Sequence, residues 1–122
     1  MNDRILVLAR VLLAALFVVS GFGKLSNPAG FAGMLGKIGM PAPDMLAYAV
    51  GLFELLGGLA VLVGFQIRAV SYLLAAFCIA TAFIAHTGDM TQLLKNFGLA
   101  GGFLALAVAG AGAYSVDRSG RR

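Results

Sequence analysis

The stretch that decides the fold runs from Met45 to Phe65 and reads MLAYAVGLFELLGGLAVLVGF. Its only charged residue is Glu54. An α-helix needs roughly 20 consecutive apolar residues to cross the hydrocarbon core of a bilayer. The stretch meets that length, so it predicts a membrane-spanning helix.

Three further apolar stretches of similar length accompany it. One is broken only by Arg10, one ends at His86, and one carries no charge at all. The predicted spans are therefore residues 5–23, 45–65, 69–86 and 96–116. We predict an all-α membrane protein, a four-transmembrane-helix bundle, forming a single domain over residues 1–122.

The composition excludes several classes of protein. Hydrophobic residues make up 61% and charged residues 11%, against roughly 25% charged in a typical globular domain. Too few polar groups remain to cover a water-facing surface, which excludes a soluble monomer. Disordered chains are poor in apolar residues, so the composition also excludes a disordered chain. The cations are scattered at the ends of apolar runs, which indicates membrane topology and no nucleic-acid partner. One cysteine allows no intrachain disulfide, and we expect no metal site.

The distribution of the cations predicts the orientation. An even number of spans places both termini on one side of the membrane. The positive-inside rule then favours cytoplasmic termini. The terminal side would hold Arg4, Arg10, Arg68, Arg118, Arg121 and Arg122, against Lys24, Lys37 and Lys95 on the other.

The first outer loop, residues 24–44, carries a helical pattern of its own. Asn27 before Pro28 resembles an N-cap followed by proline at the first helical position. Gly39 and the two prolines after it are expected to end the helix. We predict a short amphipathic helix at the membrane interface, with an apolar stripe of Phe31, Met34, Leu35 and Ile38.

Two charged residues are predicted at bilayer depth, where each needs a partner or a purpose. At about 1.5 Å per residue, Arg10 and Glu54 differ in depth by only about 6 Å, whereas Lys24 lies about 15 Å from Glu54. We therefore expect Arg10 to pair with Glu54. Gly51 and Gly58 share a stripe with Glu54 and turn it towards the interior. The pair could lock two helices together or border a small-molecule or proton site.

A second polar cluster is expected at the outer face. It comprises Lys24, His86, Lys95 and Asn96. These residues could be ordinary polar groups at helix ends, or they could receive a quinone headgroup or a small anion. We take Arg10, Glu54, His86, Lys95, Asn96 and Lys24 as ligand-binding candidates and assign no catalytic residue.

Several ordered motifs resemble one known family. They are LARVLL (8–13), SGFGKL (20–25), FELLGG (53–58), GFQIR (64–68), FIAH (83–86), KN (95–96), GG (101–102) and GAGAYSVD (110–117). Together they resemble the DoxX family over nearly the whole chain. The resemblance implies a four-helix protein of the bacterial inner membrane, and the ligand-binding candidates match the family's polar positions.

The resemblance implies less about activity. The family is named for a subunit associated with thiosulfate:quinone oxidoreduction, and many members have no established activity. The leading hypothesis is a subunit or accessory of a membrane oxidoreductase that binds quinone or a similar lipophilic molecule, with no covalent cofactor. The alternatives are a non-catalytic scaffold for a soluble redox partner and, less favoured, a small permease. Whether the chain is itself an enzyme and whether it forms a homo-oligomer stay open.

Overall fold

The chain is all-helical where the computed structural model describes it, over residues 3–85 and 88–117. These residues form α1 (Asp3–Ser26), α2 (Ala29–Lys37), α3 (Pro43–Val63), α4 (Ile67–Ala85) and α5 (Met90–Ala109), with no strand. In this described part, α1, α3, α4 and α5 are long and apolar enough to cross a membrane. The prediction of an all-α protein with four candidate spans is confirmed.

The fourth helix differs from its predicted span of residues 96–116. It begins at Met90, because the Asp89 carboxylate accepts hydrogen bonds from the amides of Thr91 and Gln92 and so caps the helix. It ends at Ala109, where Gly110 adopts a φ of +84° that favours glycine. Residues 90–95, which precede the predicted span, are therefore helical, and residues 110–117, which belong to it, are not.

The short helix predicted between the first two spans is present as α2. It begins after Pro28, which caps it without a side-chain hydrogen bond, so the predicted Asn27 cap is wrong. As predicted, Gly39 ends the helix: its φ is +82°, and the Met40 amide bonds back to the Leu35 carbonyl. Ile38 lies beyond the helix and is exposed. The location of α2 at the membrane interface stays a prediction.

The contacts divide the chain into two compact units. One is Ala14–Leu59, which holds most of α1, all of α2 and most of α3. The other combines Met1–Leu13 with Ala60–Arg122 and holds α4 and α5. The expectation of a single domain over residues 1–122 stays a prediction.

In the second unit, α4 and α5 pack against each other through a few specific contacts. The Asn96 amide nitrogen on α5 donates to the Thr81 hydroxyl on α4 at 2.9 Å and to the Cys78 carbonyl at 3.3 Å. The rings of Phe83 and Phe97 lie 5.6 Å apart at a tilt. Buried amide contacts of this kind are an effective way to hold helices in an apolar medium.

Candidate functional site

The candidate site lies in the unit Ala14–Leu59 and centres on an ion pair between Lys24 and Glu54. The Lys24 Nζ atom lies 2.9 Å from Glu54 Oε1, and the two side chains are only 18% and 9% exposed. Ser20 completes the cluster. Lys24 Nζ donates to the Ser20 hydroxyl at 2.7 Å, and that hydroxyl donates to Glu54 Oε1 at 3.1 Å. Ser20 and Lys24 are one turn apart on α1 and so share a face.

An aromatic ring from α2 covers the ammonium group of this cluster. Lys24 Nζ lies 4.6 Å from the centroid of the Phe31 ring. The face of an aromatic ring is electron-rich and attracts a cation placed over it. Within the described part of the chain, the Lys24 ammonium therefore contacts the Ser20 hydroxyl, the Glu54 carboxylate and the Phe31 ring.

Glycine contacts bring α1 and α3 close enough for these short side-chain contacts. A Cβ atom built on Gly21 would lie 2.7 Å from the Gly51 carbonyl oxygen and 2.9 Å from Leu55 Cα. A Cβ on Gly51 would lie 2.9 Å from Lys24 Cβ, and one on Gly58 equally close to Val18. These distances are shorter than real Cβ atoms show, so a side chain at these positions would clash. The backbones of α1 and α3 therefore approach each other closely along this stretch. The prediction that the stripe of Gly51, Glu54 and Gly58 faces the interior is confirmed.

The predicted ion pair between Arg10 and Glu54 is wrong, because Lys24 supplies the cation. The depth estimate set Lys24 level with Asp44, at the start of α3. The glycine contacts instead place Lys24 beside Gly51, about 10 Å further along α3. Side chains tilt towards the N-terminus of their own helix, and α1 and α3 run antiparallel here. Lys24 and Glu54 therefore lean towards each other and close the remaining gap.

Arg10 lies in the other unit and binds backbone carbonyls. It is 1% exposed. One guanidinium nitrogen donates to the Leu62 carbonyl in the last turn of α3 at 2.8 Å, and another donates to the Tyr114 carbonyl at 2.6 Å. Its Nε atom has no hydrogen-bond partner among the described residues. A cation at a helix C-terminus is favoured by the unpaired carbonyls there. Arg10 thus joins α1 and the end of α3 to the chain beyond α5.

That chain segment, residues 110–117, packs along the turn between α3 and α4. The Val116 amide donates to the Val63 carbonyl at 2.9 Å, and the Asp117 amide to the Gly64 carbonyl at 3.0 Å. The Asp117 carboxylate accepts from the amides of Gln66 and Ile67 at 2.8 and 2.7 Å. It therefore caps α4 from a distant part of the sequence and places a negative charge at the positive end of that helix.

Replacing Asp117 by alanine is expected to lower the free energy of unfolding by about 1–2 kcal/mol, since the first amides of α4 lose their acceptor. Thermal unfolding of the purified protein in detergent measures the loss. Asp117→Asn is the graded comparison, because asparagine keeps one acceptor oxygen but turns an NH2 group towards the second amide, so it should retain only part of the stability. An Asp117→Ala protein as stable as the wild type would show that this cap contributes nothing.

The assembly of the predicted outer cluster into one site stays a prediction. Lys24 belongs to the ion pair, and the Asn96 amide is used in packing α5 on α4. Lys95 is exposed. His86 lies outside the described residues. In the part of the chain that the structure describes, no three His, Cys, Asp or Glu side chains form a group able to hold a metal ion.

Comparison of the sequence with known proteins identifies its family. The DoxX family model matches residues 5–87. The chain belongs to the DoxX family. It is 37% identical to the inner membrane protein YqjF of Escherichia coli, over 97% of this chain and 93% of YqjF. It is 32% identical to the inner membrane protein YphA of the same organism, over 93% of this chain and 89% of YphA. No solved structure matches the chain at a comparable level.

The DoxX match covers the whole ion-pair cluster. Ser20, Lys24, Phe31 and Glu54 all lie within residues 5–87, and so does Arg10. The match ends before α5 and before the segment that carries Asp117. The family assignment and the four candidate spans make this chain a membrane protein.

Three residues of this DoxX protein that complete the contacts of its buried charges and of α4 were not among the predicted site residues. Ser20 could have been found, because its spacing of four residues from Lys24 places both on one helix face. Phe31 was predicted only as part of an apolar stripe, and nothing in the sequence relates it to Lys24. Asp117 could not be placed, because it caps a helix 50 residues away.

Proposed function

We propose that this DoxX protein serves redox metabolism in the bacterial inner membrane, with both termini in the cytoplasm. It acts as a subunit or accessory protein of a membrane oxidoreductase. It binds a quinone-like lipophilic molecule at the cluster of Ser20, Lys24 and Glu54, which the Phe31 ring covers. The observation that carries the proposal is the shielded Lys24–Glu54 ion pair beside an aromatic ring.

The chemistry of the cluster suits a quinone and its reduced form. A quinone carbonyl needs a hydrogen-bond donor, which the Lys24 ammonium supplies. A quinol hydroxyl needs an acceptor. Both hydrogen bonds to Glu54 from the described residues fall on Oε1, so Oε2 is left to accept from a ligand. Charged groups inside a membrane segment are costly and commonly mark functional sites.

Quinone-induced thermal stabilisation tests the proposal. We expect ubiquinone-1, a short-chain quinone, to raise the Tm of the purified protein in detergent. A ligand at 100 times its Kd stabilises the folded state by about 2.7 kcal/mol. Lys24→Met removes the donor and should abolish the shift. Lys37→Met is the matched control, since Lys37 is an exposed lysine in the last turn of α2 and should leave the shift intact.

A scaffold function is the second candidate, because the buried side chains of Arg10 and Asn96 hold parts of the fold together. Arg10 binds two carbonyls and Asn96 joins two helices. A scaffold would present a rigid membrane domain to an oxidoreductase partner. Absence of any Tm shift with ubiquinone-1 or menadione, in a protein that unfolds cooperatively, would favour this alternative over quinone binding.

A further inference from the structure

We propose that Phe31 occupies the position on Lys24 that the ligand's carbonyl oxygen takes, so that α2 covers the site and moves away when the ligand binds. The inference rests on the proposed function and deepens it. It also assigns the ligand class as a neutral carbonyl headgroup rather than an anion.

An ammonium group has three N–H donors. Ser20 and Glu54 take two of them at 2.7 and 2.9 Å, and the Phe31 ring lies over the cation at 4.6 Å. A ligand oxygen that accepts the third N–H must therefore replace the ring. Ser20 and Glu54 are anchored on the two closely packed helices α1 and α3, whereas Phe31 stands on the short helix α2. Phe31 is the neighbour that can leave.

The helix α2 is short and buries few of its own side chains. It has nine residues, and isolated helices shorter than about 12–15 residues are marginal in water. No side chain caps its N-terminus, and its fully buried side chains are Ala32 and Leu35. The helix α2 contacts the ion pair through the ring of Phe31, which lies over Lys24. Weakening this contact should therefore loosen α2, and strengthening it should hold α2 more firmly.

The charge balance of the cluster selects a neutral headgroup. Lys24 and Glu54 cancel each other, so a carboxylate or phosphate approaching Lys24 would also meet the Glu54 carboxylate. Like charges at such a distance in a low-dielectric site repel strongly. A carbonyl oxygen accepts a hydrogen bond without bringing a charge. A quinone fits this requirement, and a fatty acid does not.

A substitution series at Phe31 tests the inference. Phe31→Leu removes the ring but keeps apolar bulk, and Phe31→Trp strengthens the cation–π contact, because tryptophan is the best aromatic partner for a cation. If the ring competes with the ligand, affinity for ubiquinone-1 should fall in the order Phe31→Leu, wild type, Phe31→Trp, with steps of about three- to tenfold. Exchange of the α2 amides, measured without ligand, should slow in the same order.

The possible outcomes separate this inference from the proposed function. If the wild type binds ubiquinone-1 but Phe31→Leu binds it equally or more weakly, Phe31 does not compete, and the inference fails while the proposed function stands. If no variant binds ubiquinone-1, the proposed function fails and the inference with it. Dodecanoate, which has an anionic headgroup, serves as the control ligand. Stabilisation by dodecanoate that disappears in Lys24→Met would overturn the neutral-headgroup assignment.

Discussion

Replacing Arg10 by methionine is expected to lower the free energy of unfolding by about 3 kcal/mol or more, because hydrogen bonds from a charged donor contribute about 1.5–3 kcal/mol each. Methionine keeps an unbranched apolar chain but leaves the carbonyls of Leu62 and Tyr114 without their donor. For a chain of this size the loss corresponds to a fall in Tm on the order of 10 °C. Thermal unfolding in detergent measures it.

Amide hydrogen exchange shows whether the loss of stability arises in the segment of residues 110–117, which Arg10 contacts. The amides of Val116 and Asp117 donate to the α3–α4 turn, and Arg10 holds the carbonyl of Tyr114 just before them. Arg10→Met should therefore speed the exchange of these two amides. Arg10→Lys should recover only part of the protection, since an ammonium cannot bridge two carbonyls as a planar guanidinium does.

Arg4→Met is the matched control for this prediction. Arg4 lies on the same helix and is exposed. Its replacement should therefore change the free energy of unfolding by less than about 0.5 kcal/mol and leave Tm nearly unchanged. Equal Tm values for the two variants, with unchanged exchange at Val116 and Asp117, would mean that the buried guanidinium does not hold the segment of residues 110–117.

The spans were predictable because length and apolarity decide them. Met45–Phe65 and Ala69–His86 correspond closely to α3 and α4. The fourth span was misplaced, because composition cannot distinguish residues 96–116 from Met90–Ala109. Local chemistry decides that boundary, through the Asp89 cap and the left-handed Gly110. Asp89 followed by Gln92 resembles a capping box, and that signal was present in the sequence.

The partners of the buried charges were not predictable from depth. Counting residues from each end of a span assumes that the helix ends are level. Here the register depends on which residues the glycines meet, and Gly51 lies against Gly21 and Lys24. The sequence did identify both Lys24 and Glu54 as candidates. Glu54 was paired with the wrong cation, because a shift of α1 relative to α3 by about two helical turns does not change the composition of either helix.

Gly21→Ala is expected to destabilise the protein by about 1–3 kcal/mol, the usual cost of inserting a methyl group into a packed interface. The new Cβ would lie 2.5 Å from the Leu55 amide nitrogen and 2.7 Å from the Gly51 carbonyl oxygen. Both are backbone atoms, so no side-chain rotation relieves the clash and the helices must separate. Gly23→Ala is the control, because its Cβ would meet nothing within 4 Å. Both variants gain helix propensity, so their difference in Tm isolates the clash.

A double-mutant cycle then tests whether the close approach of α1 and α3 maintains the ion pair. Lys24→Gln breaks the pair, leaves Glu54 without its cation and should lower the Tm of the wild type. In the Gly21→Ala background the helices are already separated and the pair is weakened, so the same substitution should cost less. In the Gly23→Ala background it should cost as much as in the wild type. Equal costs in all three backgrounds would mean that Lys24 reaches Glu54 whether or not Gly21 packs against α3.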